Sequence, residues 1–180
     1  MKSTLIIGGA RSGKSTMAQE MAIKNGGHVL FVATAEAGDE DMQLRIEAHR
    51  KSRPAHWTTL ETTSNIGSRI KENIGNASTV VIDCITLLVM AVFQQHSGET
   101  DADVLEKSVT TEIQGLTECI DEINAHFIIV TNEIGLGIVP LDRTSRIYRD
   151  VLGRANQMLA SFADEVFLLV AGIPVTVKKS

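Results

Sequence analysis

Short, nearly all-apolar runs recur along the chain at Thr4–Ile7, Val29–Ala33, Val80–Asp83, Phe127–Thr131 and Val166–Val170, with a further short one at Val175–Val177. Runs that do not alternate with polar residues are the pattern of strands buried on both faces, the usual state of a parallel sheet. Between them the spacing predicts helices near residues 14–25, 38–52, 64–74, 102–124 and 142–161. In the fourth, Val104, Leu105, Val109, Ile113, Leu116, Ile120 and Ile123 recur at helical spacing and define one core-facing stripe. Pro54 ends the second, because the residue before a proline is pushed out of helical geometry. Strand and helix alternate, so the pattern predicts an α/β fold of three layers around a mainly parallel sheet. No repeat, low-complexity tract or linker breaks it, and residues 1–180 read as one domain. Gln94 to Asp103 reads as a polar loop.

Composition narrows the class only a little. With 43% hydrophobic and 22% charged residues the chain is ordinary for a globular protein. A net charge of -5 argues against general nucleic-acid binding, which calls for a basic field. Cys84 and Cys119 are too few for a disulfide framework and read as buried free thiols in a reducing compartment. The longest apolar run, Thr79 to Phe93, is interrupted by Asp83 and is too short to span a bilayer. The first predicted strand starts beside Met1 and leaves no room for a signal peptide, so a cytoplasmic location is expected.

The chemistry lies between the first strand and the first helix. Gly8-Gly9-Ala10-Arg11-Ser12-Gly13-Lys14-Ser15 fits G-x-x-x-x-G-K-[ST], with Leu5-Ile6-Ile7 before it and Thr16-Met17-Ala18-Gln19 after it. Glycines let such a loop curl so that its N–H groups face phosphate oxygens, and the helix N-terminus adds partial positive charge. In a phosphate-binding loop of this kind, Lys14 reaches the β- and γ-phosphates and the Ser15 hydroxyl ligates Mg²⁺. Lys14 is expected at an exposed loop site with little packing energy. The strand Thr79-Val80-Val81-Ile82-Asp83 ends in a carboxylate; beside this loop, a second Mg²⁺ contact is favoured over a simple strand cap.

Three further segments join these. Arg45, His49 and Arg53 are spaced four apart and share one helix face, with Arg50 nearby. Neutral imidazole can attack phosphorus while arginines neutralise leaving pyrophosphate, but a solvated basic face with an incidental histidine reads equally well from these residues alone. His56 and the sole tryptophan, Trp57, form either a packed corner, the favoured reading, or a substrate wall. Thr131-Asn132-Glu133-Ile134-Gly135-Leu136-Gly137-Ile138-Val139-Pro140 follows a strand on the side where parallel sheets bind ligands, and reads as a substrate-facing loop rather than a plain Gly-rich turn.

Taken together, GGARSGKS, the Arg45-Ile46-x-x-His49 helix, RPAHW at Arg53–Trp57 with Glu61, VTNEIGLGIVP at Val130–Pro140 and the tail from Gly153 to Val175 resemble one family along essentially the whole chain. It is the bifunctional adenosylcobinamide kinase/adenosylcobinamide-phosphate guanylyltransferase family. The resemblance implies a RecA-like P-loop NTPase fold, homotrimeric assembly, and two steps that need Mg²⁺. ATP or GTP phosphorylates adenosylcobinamide, and GMP from GTP is then transferred to adenosylcobinamide phosphate through a GMP-histidine. Matching R-I-x-x-H places that histidine at His49, and Ala48 beside it leaves His49 alone to serve. The family's nucleotide contacts fall on Gly8 to Ser15, Ala33, Thr34, Ala35, Arg50, Lys51, Ser52, Arg53, Glu61 and Asp83, the last standing where some members carry Glu. Two other readings remain: a P-loop kinase in which His49 is dispensable, and a nucleotide switch, against which no N-K-x-D guanine-reading motif is present.

Overall fold

The computed structural model describes residues 2–35, 43–44, 47, 50–51, 53–96, 98 and 101–179. They form one seven-stranded sheet in the order β3-β2-β4-β5-β1-β6-β7. The strands are β1 (Lys2–Gly8), β2 (Val29–Ala33), β3 (Thr58–Glu61), β4 (Thr79–Asp83), β5 (His126–Asn132), β6 (Glu165–Val170) and β7 (Ile173–Lys179). Every neighbouring pair is parallel except β6 and β7, which form an antiparallel hairpin at one edge. The helices are α1 (Lys14–Asn25), α2 (Ile66–Asn73), α3 (Ile85–Gln95), α4 (Ala102–Glu122) and α5 (Arg143–Phe162). Of the helix expected near 38–52, residues 43, 44, 47, 50 and 51 are helical; Arg45, Ile46, Ala48, His49 and Ser52 lie outside the described residues.

The all-apolar strands serve both faces, as their pattern predicts. Leu5, Leu30, Val32, Val80, Ile82, Phe127 and Ile129 face a core closed by α2, α3, α4 and α5. The alternate residues Ile6, Val29, Phe31, Val81, Ile128 and Val130 face a smaller core against Ala18 and Ala22 of α1. Helices therefore cover both faces of the sheet, giving three layers.

Two elements depart from the periodicity. Helix α3 was hidden in the apolar run after Asp83: Ile85, Leu88, Val89, Ala91 and Val92 are all buried, so no polar face marks its period. Strand β3 buries only Leu60 and exists through its pairing with β2. On α4 the stripe is Leu105, Val109, Ile113, Leu116, Cys119 and Ile120, whereas Val104, placed on it from spacing, is 40% exposed. Both cysteines are buried, and desolvation pushes each thiol up to about 11. No described helix is long and apolar enough to cross a membrane.

Helix α2 is fixed from outside. Its first N–H groups lack intrahelical partners, and the Glu112 carboxylate on α4 accepts from Asn65 N at 3.0 Å and Ile66 N at 2.6 Å. The next residue, Gly67, meets the backbone of Gly115: a Cβ there would stand 2.1 Å from the Gly115 carbonyl oxygen.

Candidate functional site

The P-loop leaves β1 at Gly8 and enters α1 at Lys14. Gly13 holds φ +96°, a region closed to most side chains, which turns the chain into the helix. Gly8 has no room for a Cβ, which would sit 2.6 Å from the Leu169 carbonyl oxygen and 2.8 Å from Ser12 Oγ. The next turn over is tied on as well, Gly172 N donating to Ser12 O at 3.0 Å. Gly9, Ala10 and Arg11 are exposed, while Ser15 is half-buried in the first turn of α1. Ser12 Oγ is buried and has no hydrogen-bond partner among the described residues.

Lys14 corrects the sequence expectation of an exposed side chain. It is 7% exposed, and its Nζ donates to Gly9 O at 2.7 Å. Burial pulls its ammonium below the ordinary lysine range, and the charge of Asp83 acts against that pull. The loop thus encloses its cation, folded back on a loop carbonyl.

Asp83 ends β4, in register with Ala33 on β2 and Val130 on β5. Thr34 binds these strand ends together: its N donates to Asp83 O at 3.3 Å, its Oγ1 donates to Cys84 O at 2.6 Å, and Cys84 N donates back to Oγ1 at 2.8 Å. Ala33 O accepts from Thr62 N at 3.0 Å, which closes the β2 end further. The Thr34 amide and hydroxyl hydrogens are committed to this clamp, and Ala35 beyond it is half-buried.

Arg53 reaches the same edge. Its guanidinium lies 3.7 Å over the Phe31 ring, a cation–π contact, and its Nε is buried without a described partner. Burial pulls its pKa down, with the Arg50 charge adding to that and Asp83 and Glu61 opposing it. Arg50 pairs with Glu61 at 3.3 Å, both exposed, so the pair contributes little stability. Lys51 is exposed. Trp57 is buried against Phe31 with ring centroids 6.3 Å apart, forming a packed corner, while His56 is exposed.

Between β4 and β1 in the sheet lies β5, so its C-terminal loop rises between Asp83 and the P-loop. Glu133 N donates to Gly8 O at 3.0 Å, which joins the two loops directly. Thr86 Oγ1 accepts from Asn132 N at 2.8 Å, and Tyr148 OH donates to Thr86 O at 2.8 Å. Asn156 Oδ1 accepts from Thr131 Oγ1 at 2.8 Å while its Nδ2 donates to Asn132 O at 3.0 Å.

A family described as cobinamide kinase / cobinamide phosphate guanyltransferase matches residues 4–177. The chain belongs to this family. It is 40% identical over 179 residues to the bifunctional adenosylcobalamin biosynthesis protein CobU of Escherichia coli strain K12, covering 97% of this chain and 98% of that one. The CobU of Salmonella typhimurium is 39% identical over the same shares. The CobP of Pseudomonas aeruginosa is 38% identical, over 97% of this chain and 96% of that one. Among solved structures, the RadB recombinase superposes with a TM-score of 0.52 at 16% identity, covering 93% of this chain and 73% of the other. That likeness concerns the fold and agrees with a RecA-like P-loop architecture.

As a member of the cobinamide kinase / guanyltransferase family, the chain is a bifunctional transferase. Its P-loop, Asp83, Arg53, Arg50 and Glu61 are brought to one edge of the sheet. His49, Arg45 and Ser52 lie outside the described residues. The donor chemistry at this edge fits Mg²⁺, which takes oxygen ligands and completes its shell with substrate phosphates and water. A hydroxyl at Ser15 and a carboxylate at Asp83 suffice for that, and the described residues hold no cluster of three or more His, Cys, Asp or Glu. Sequence reasoning missed Thr86, Tyr148 and Asn156, which brace the floor of the site. Asn156 carried a signal: it is a polar residue on the buried face of α5, between Leu152 and Leu159, and a buried amide needs partners.

Proposed function

We propose that both half-reactions use this one triphosphate site, with Lys14 on the β- and γ-phosphates, Ser15 and Asp83 on Mg²⁺, and His49 as the guanylyl acceptor. The observation that supports it best is the electrostatic neighbourhood of Lys14, Asp83 and Arg53 at the C-terminal edge of the parallel strands. There, two partly desolvated cations lie within electrostatic reach of one carboxylate, an arrangement suited to a polyanion with its metal.

In the kinase step the aminopropanol hydroxyl of adenosylcobinamide attacks the γ-phosphorus of ATP or GTP. The new O–P bond forms as the bond to the nucleoside diphosphate breaks, and the hydroxyl proton passes to solvent water. Lys14 neutralises charge on the departing diphosphate. In the transfer step a neutral His49 nitrogen attacks the α-phosphorus of GTP and pyrophosphate departs, its charge held by Arg50 and Arg53. An oxygen of adenosylcobinamide phosphate then displaces the imidazole, giving adenosylcobinamide-GDP. Mg²⁺ would supply charge neutralisation and orientation of the phosphates. The remaining nucleotide contacts, Gly8 to Ser15, Ala33 to Ala35, Lys51, Ser52 and Glu61, rest on the family resemblance; of the Thr34 clamp, only groups beyond its committed hydrogens are open to ligand.

We further infer a cytoplasmic homotrimer that binds no nucleic acid and does not insert into membranes. The net charge supports the lack of nucleic-acid binding. The exposed apolar row Ile173, Val175 and Val177 on outer strand β7 supports a subunit contact. Light scattering tests the trimer.

The mechanism is tested with His49→Ala. Kinase product from adenosylcobinamide and ATP should persist while protein labelling by radioactive GTP disappears. The wild-type adduct, once denatured, should survive alkali and release GMP in mild acid, because a protonated imidazole is a good leaving group. A mutant that still takes up label removes His49 from the role.

A further inference from the structure

We propose that the loop from Ile134 to Leu141 is the platform against which the methylated rim of the cobinamide acceptor's macrocycle docks, with its aminopropanol arm directed at the P-loop. This rests on the function proposed above and names the acceptor subsite of that same edge.

The loop's position comes from the sheet order. It emerges from β5, between β4, which ends in Asp83, and β1, which ends in the P-loop. Glu133, the residue just before it, donates its N–H to Gly8 O at 3.0 Å. A hydroxyl that attacks a γ-phosphorus held by Lys14 beside this loop can approach over it.

The loop's chemistry differs from that of the rest of the edge. On the β2 and β3 side the groups presented are Arg50, Arg53 and Glu61, suited to a nucleotide. The β5 loop instead presents Leu136 at 87% exposure, Ile138 at 97% and Leu141 at 99%, with Val139 beside them. Large apolar side chains so exposed in one short segment mark a surface that is covered in function. The segment is also anchored at both ends. Gly135 N donates to Glu133 Oε1 at 2.5 Å, and the Arg146 guanidinium on α5 donates to Pro140 O at 3.0 Å and Leu141 O at 2.5 Å. The ends are thus held in place by the fold itself, which lowers the ordering cost of binding.

The family description supplies an acceptor of the right kind, a cobinamide. It is a broad ring rimmed with methyl groups as well as amide chains, and its phosphorylatable hydroxyl sits at the end of a side arm. Such a ligand needs apolar contact area several ångströms from the reacting phosphorus, and the loop offers it.

The experiment compares the full-length wild type with Leu136→Ser/Ile138→Ser and with Leu141→Ser. These side chains are exposed, so the substitutions should leave the chain folded, checked by circular dichroism. Equilibrium dialysis against adenosylcobinamide, read by its visible absorbance, should show binding at least tenfold weaker in the double variant and severalfold weaker in Leu141→Ser. Labelling by GTP, a half-reaction without acceptor, should match the wild type, and light scattering should give an unchanged particle mass. Unchanged cobinamide affinity overturns the proposal, and so does a fall in particle mass, which would make the loop a subunit contact. A wild type that binds cobinamide but takes no label from GTP refutes the guanylyl mechanism and leaves this subsite standing. A wild type that binds no cobinamide refutes the subsite.

Discussion

Lys14 shows how much one residue's environment changes its reading. The motif assigns it to phosphate, and the fold adds that it is desolvated and held on Gly9 O. A triphosphate offers this cation several anionic oxygens in a partly dry site, where charge interactions are stronger than in water. Lys14→Ala is expected to lower kcat/KM for the kinase step by about a hundredfold or more. It should leave the fold intact, since it removes a buried cation rather than core volume; steady-state kinetics with a parallel thermal melt checks both. His126 illustrates the opposite end of the strands. Its Nδ1 accepts from Asn25 Nδ2 at 2.7 Å and its Nε2 lies 2.9 Å from Thr4 Oγ1, which fits the neutral ring. Burial lowers its pKa, Lys2 adds to this, and Glu165 and Asp164 oppose it. A histidine with a lowered folded pKa takes up protons more readily when unfolded. Its contribution to stability is therefore complete above the unfolded value of about 6.5 and is lost as pH falls below it. Urea midpoints should drop below that pH in the wild type, and His126→Gln should flatten this part of the profile.

Among the elements, the α2–α4 crossing is the most exacting contact. At Gly67 a methyl group would meet backbone on α4 at 2.1 Å, and backbone cannot rotate away as a side chain can. Gly67→Ala should therefore destabilise by about 3 kcal/mol, because the helices must separate and open the core around Ile66 and Ile70. Gly115 faces it but has open space where its own Cβ would go. Gly115→Ala should be neutral or stabilise by up to about 1 kcal/mol through helix propensity. Denaturant unfolding of the two variants gives opposite signs if this asymmetry holds. The sequence placed α2, yet neither this contact nor the Glu112 carboxylate on its N-terminus could be read from it. Partners 45 or more residues apart leave no local signal.

For the whole molecule, ligand linkage is the expected signature. GTP with Mg²⁺ at a hundredfold excess over its Kd should stabilise the fold by about 2.7 kcal/mol, and Lys14→Ala should lose most of this shift in thermal melts at equal nucleotide. Several residues of this edge were legible as candidates beforehand. Gly8 to Ser15 was recognisable because phosphate binding demands a fixed spacing of glycines, lysine and hydroxyl, and Asp83 because an apolar strand ending in a carboxylate is locally distinctive. Thr86, Tyr148 and Asn156 were not, since their part is to hold Asn132 and Thr131 in place through bonds made across the fold.

The sequence by itself determined the alternation of strand and helix, the phosphate-binding loop and the family, because each is written in short-range spacing or in residue identity along the whole chain. It also determined that the inner strands would be buried on both faces, since nothing polar interrupts them. Only the tertiary structure decided the strand order that puts the β5 loop between Asp83 and the P-loop, the burial of Lys14, and the stacking of Arg53 on Phe31. The same holds for α3, whose uniformly apolar surface has no period to read, and for β3, which is a strand through its hydrogen bonds to β2. Each of these depends on groups far apart in the chain meeting in space, and local patterning carries no record of such meetings.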